Sequence, residues 1–63
     1  AVQLRVIRGK LWELKVGQHR VFYVLVTGPD MVLLHACKKQ GRKARKEDLD
    51  LAKARMREVL AAE

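Results

Sequence analysis

Arg20 to Val26 is apolar on both faces of an extended chain, with Phe22, Val24 and Val26 on one side and Val21, Tyr23 and Leu25 on the other. A strand of that kind, rich in β-branched and aromatic residues, belongs in the middle of a sheet and needs cover on both sides. The chain has 63 residues, near the lower limit at which one core holds a fold without staples. It has room for one domain and little irregular structure.

The segments around this strand follow from their periods. Leu11 to Val16 alternates, Trp12, Leu14 and Val16 against Glu13 and Lys15, as a half-buried strand does. Gly17-Gln18 supplies a tight turn into the central strand, and Thr27-Gly28-Pro29-Asp30 has turn chemistry at its far end. Met31 to Cys37 then returns as a further strand. Val2 to Ile7 alternates weakly and fits either a strand or an extended lead-in. From about Ala44 the period changes: Leu49, Ala52, Met56, Val59 and Leu60 form one helical stripe, with Glu47, Asp48 and Asp50 in the first turns, where the helix dipole favours negative charge. The expected fold is α+β, a small antiparallel sheet of about three strands with a C-terminal amphipathic helix packed on it. One helix covers one sheet face, so an apolar face is left for a missing segment, a second copy or another partner.

Fourteen Lys and Arg against seven Asp and Glu give a net charge of +7, which argues for an anionic partner. Six of the nine residues from Lys38 to Lys46 are basic and none is acidic, whereas the segment from Glu47 onward is balanced. A strand that empties into such a run suits a polyanion, and nucleic acid is the commonest one. A single cysteine excludes an internal disulfide and fits a reducing compartment, and two histidines on separate strands make no zinc spacing. The longest apolar run is too short to cross a bilayer, and no leader pattern is visible, so the expectation is a soluble cytoplasmic protein with no metal and no cofactor.

In order, Gly9-Lys10-Leu11-Trp12-Glu13-Leu14-Lys15, His19-Arg20-Val21-Phe22-Tyr23, Val32-Leu33-Leu34-His35-Ala36-Cys37-Lys38-Lys39 and the helix with Lys46-Glu47-Asp48-Leu49 and Ala52 resemble the RelE/HigB superfamily of toxins, in its phage-derived HigB-like branch. The likeness spans residues 8 to 58. It implies a single toxin domain over residues 1–63, acting as a ribosome-dependent endoribonuclease (mRNA interferase) on mRNA, without a metal and silenced by a helix-turn-helix antitoxin. Members of that superfamily begin with a pair of helices, so the resemblance also implies that this chain is N-terminally truncated. The alternative is a shortened, non-catalytic relative that grips nucleic acid or an antitoxin.

The chemistry implied is in-line attack by a ribose 2′-hydroxyl on the adjacent phosphorus, which calls for cations around the phosphorane and a proton donor for the leaving oxygen. The resemblance places Arg20 against RNA phosphates and matches Lys38 and Lys39 to paired lysines. Alternation puts those two on opposite faces, so at most one points into a common site. His35 is the candidate acid or base, since its ordinary pKa lies near neutrality; the alternative is a packed, hydrogen-bonded histidine. Lys38, Lys39, Arg42, Lys43, Arg45 and Lys46 are candidates for nucleic-acid binding, the last four as backbone grips. Glu13, on the polar face of its strand, is expected to pair with Arg20 across the sheet or to act as a base. Cys37 lacks a His and acid constellation in the sequence and is assigned no nucleophilic role.

Overall fold

The structure, a computed structural model, describes residues 2–62 other than Thr27, Pro29 and Gln40, with Val2 in its backbone alone. Four strands, β1 (Val2–Arg8), β2 (Leu11–Val16), β3 (His19–Leu25) and β4 (Met31–Lys38), precede one helix, α1 (Lys46–Ala61). The sheet is antiparallel throughout in the order β1-β2-β3-β4. The fold is the expected α+β, with four strands where about three were expected, because the weakly alternating Val2 segment pairs along β2 with a register shift between Val6 and Arg8. Gly17, at φ 57°, opens the two-residue turn between β2 and β3, where a hairpin wants a left-handed residue. The turn expected at Thr27 to Asp30 lies partly outside the described residues; Val26 N–H donates to the Asp30 carbonyl across it at 3.1 Å.

Register sorts the side chains into two faces. Leu11, Glu13 and Lys15 of β2 lie opposite Val24, Phe22 and Arg20 of β3, and this face carries the core of Leu11, Phe22, Val24, Leu34 and Ala52, with Leu49, Met56, Val59 and Leu60 of the helix packed against it. A register shift opposite Phe22 and Tyr23 brings Leu34 into that core beside His35. The helix sits over β4 and, to a lesser extent, β3, leaving an open flank along β1 and β2. Its stripe is core, as the sequence pattern predicts.

The other face is open. Leu4, Val6, Val16, Leu25, Met31 and Leu33 are exposed on it, Leu33 to 63% and Leu4 to 62%, and Tyr23 is buried there by its neighbours, with Trp12 stacked at 6.3 Å. This is the uncovered apolar face that one helix and one central strand imply. The inward side of β2 is the surprise: the polar series Glu13 and Lys15 faces the helix, while Trp12, Leu14 and Val16 face outward. Alternation identifies two faces but not which one meets the helix.

Candidate nucleic-acid interface

Arg20, which the resemblance places against RNA phosphates, stands at the start of β3 and is 2% exposed, and Glu13 is 1% exposed. Its Nη1 donates to Glu13 Oε2 at 2.8 Å, and its Nη2 donates to the Gly41 carbonyl at 2.9 Å. The expected cross-strand pair therefore forms, but as a buried one, and diagonally, since Arg20 is directly opposite Lys15 and Glu13 opposite Phe22. Among the described residues, Arg20 Nε and Glu13 Oε1 have no hydrogen-bond partner, although Lys15 Nζ comes within 3.8 Å of Glu13 Oε1. Gly41, at φ 112°, takes a conformation that disfavours any side chain. Arg20 thereby fixes the start of the basic loop relative to the sheet.

Among the described residues, two clefts lie on the helix-bearing side. The smaller, about 150 Å³, is lined by Arg5, Ile7, Glu13, Arg20, Lys43, Ala44 and Leu49. It sets three cations against one carboxylate, and Arg5 and Lys43 are exposed while Arg20 is buried beneath them. The larger, about 360 Å³, lies between the β1–β2 turn and the C-terminal half of α1, where Arg8, Lys10, Lys53 and Arg57 surround Leu11, Met56 and Leu60. It holds four cations and no acid. Strand β1 lines both clefts, Arg5 and Ile7 in one and Arg8 in the other, so together they make a two-part basic groove along the flank that the off-centre helix leaves free. Cations stand beside apolar side chains in both parts, which suits a phosphate backbone carrying bases.

The remaining candidates are scattered. Lys38 ends β4 opposite His19, Lys39 N–H donates to the Gln18 carbonyl, and both lysines are exposed beyond the groove lining. Arg42, Lys43 and Lys46 are exposed, and Arg45 pairs with Glu47 at 2.6 Å. His35 takes the packed alternative: its ring stacks on Phe22 at 6.1 Å, and its Nε2 lies 2.8 Å from Asp48 Oδ1. That contact, the largest influence, holds the Asp48 carboxyl below its usual range, with a thiol hydrogen bond from Cys37 and the Arg45 charge adding to it. Cys37 is a correction. The fold gives it the His and acid neighbours that the sequence order hides, since His35, Cys37 and Asp48 converge.

Arg8, Lys10, Lys53 and Arg57 are groove residues that sequence reasoning missed. Lys53 and Arg57 are spaced four apart beside the apolar stripe of α1, and Arg8 and Lys10 flank the Gly9 turn. The family model described as phage derived protein Gp49-like (DUF891) matches residues 2–57. The chain belongs to the Gp49-like family. That family is related to the toxins of toxin–antitoxin systems, and the Gp49-like match covers all four strands and most of the helix. No curated protein and no solved structure matches the chain. No helix among the described residues is long and apolar enough to cross a membrane.

Proposed function

We propose that this Gp49-like protein is the toxin of a toxin–antitoxin pair and acts on mRNA at the ribosome, holding the RNA backbone in the basic groove between β1 and α1. The observation that carries the reading is the groove itself, seven cations on two adjoining clefts against a single, already paired carboxylate. The reaction assigned to it is ribose 2′-hydroxyl attack on the adjacent phosphorus, as the RelE/HigB resemblance implies. Arg5 and Lys43, at the rim of the smaller cleft, supply the charge that a phosphorane needs. Arg20, neutralised by Glu13, holds the Gly41 loop that carries Lys43. Lys38 and Lys39 meet the RNA outside the groove. A helix-turn-helix antitoxin silences the protein, and the open apolar face receives that antitoxin or a second copy.

A second reading has its own support. Arg20 and His35, the two residues best suited to chemistry, are both engaged by carboxylates, as in a relative that grips RNA or an antitoxin without cutting. The deciding experiment is single-turnover cleavage of mRNA on programmed ribosomes at saturating protein. The toxin reading expects cleavage that requires ribosomes and falls sharply in Lys43→Ala and Arg5→Ala. Tight binding with no cleavage selects the binding module, and cleavage of naked RNA at equal rate contradicts ribosome dependence.

A further inference from the structure

His35 and Cys37 are two residues apart on β4, so the pleat turns both toward the helix, and Asp48 in the first turn of α1 closes over them. One ligand atom from each, an imidazole nitrogen, a thiol sulfur and a carboxylate oxygen, all lie within 4.8 Å of one another. All three residues are half-buried, which gives both shelter and access. The arrangement is not that of an activated nucleophile. In a thiol triad the imidazole takes the thiol proton and the carboxylate orients the imidazole. Here thiol and imidazole both lean on the carboxylate, and burial, reinforced by the Asp48 charge, raises the Cys37 thiol above its usual range and disfavours the thiolate.

Three converging lone-pair donors remain. We propose that His35, Cys37 and Asp48 form a binding site for one zinc-type divalent ion, with water at the fourth position. Sulfur and nitrogen select a borderline ion of the zinc kind over magnesium or calcium, which prefer all-oxygen shells. Bonds of about 2.3 Å to sulfur and about 2.0–2.1 Å to nitrogen and oxygen put tetrahedral ligands roughly 3.3–3.6 Å apart. The His35–Asp48 contact at 2.8 Å therefore opens by about half an ångström to admit the ion. Phe22, stacked on the imidazole, fixes the ring plane. The Cys37 proton leaves to solvent on binding, and thiolate plus carboxylate then balance the ion's two charges. Of the charges nearby, Glu13 on β2 and Arg20 on β3 neutralise each other, and Arg45 leans on Glu47. The site joins β4 to α1 and is independent of the RNA groove.

Cobalt(II) is the probe, titrated into the purified full chain at neutral pH. The expected result is one equivalent bound, with a thiolate-to-cobalt charge-transfer band and visible bands of tetrahedral intensity, both bleached by zinc. Cys37→Ser should abolish the charge-transfer band, and His35→Gln and Asp48→Asn should each weaken binding at least about tenfold, the loss that even a supporting group causes. His19→Gln should leave the titration unchanged. Absence of the charge-transfer band in the parent protein overturns the proposal whatever the variants do, and so does loss of binding in His19→Gln or full affinity in His35→Gln that circular dichroism shows to be folded.

Discussion

The two faces of the sheet are built from the same alternating strands and end in opposite states. The helix-bearing face hides charge: a buried Arg20–Glu13 pair and a half-buried His35–Asp48 contact. The open face carries almost no charge and exposes Leu4, Val6, Leu25, Met31 and Leu33. A charge beneath a helix persists only with a geometric partner, whereas an apolar side chain in water costs the fold little and invites a second molecule. The covered face therefore determines whether the chain folds and where its cations stand. The open face determines what it associates with.

The largest expected effect is on the covered side. Arg20→Met leaves Glu13 buried without its partner, a loss of about 3–5 kcal/mol against a total of roughly 3–9 kcal/mol for a domain of this length. Urea unfolding should show a collapse of stability, largely restored in the double variant Glu13→Leu/Arg20→Met. Leu33→Ser on the open face should change the unfolding free energy by less than about 0.5 kcal/mol. An equal cost from both would break the comparison and show that the open face is already covered in solution. Leu4→Lys with Leu33→Lys should instead abolish self-association or antitoxin capture, read by sedimentation, with the unfolding curve unmoved.

The smallest effect is the acid limb. Asp48 titrates lower in the folded chain than its ordinary value, chiefly through the His35 hydrogen bond, so its stabilisation is present above the unfolded carboxylate pKa of about 3.9 and is lost as pH falls through the lower folded value. Asp48→Asn should lower the neutral plateau by that contribution and shallow the fall below about pH 4, so that parent and variant converge in acid. An acid limb identical to the parent's would show that the His35 contact does not persist in solution.

Much of this was legible in the sequence. The β2, β3 and β4 strands, the helix stripe and the uncovered face all follow from period and length, and the Glu13–Arg20 pair follows from opposite charges on adjoining strands. Three features were not. Alternation cannot say which side of β2 meets the helix, so the burial of Glu13 and Arg20 on the helix-bearing side could not be read from period alone. The convergence of His35, Cys37 and Asp48 depends on how α1 lands on β4, a tertiary fact that spacing within β4 only half announces. The groove is the third. Its cations Arg8, Lys10, Lys53 and Arg57 come from opposite ends of the chain, and the dense Lys38 to Lys46 run drew attention from them.

The central claim is that RNA lies in the β1–α1 groove, and its most direct test is RNA affinity across a salt series, with the parent compared to a variant carrying Arg8→Gln, Lys10→Gln, Lys53→Gln and Arg57→Gln. Each phosphate contact releases counterions, contributing about −0.7 to the slope of log affinity against log salt for a single strand. The account predicts a steep slope for the parent and, for the variant, weaker binding with a slope shallower by about 0.7 for each lost contact. Equal affinity and equal slope in the two proteins would contradict it and move the RNA to the Lys38 to Lys46 loop.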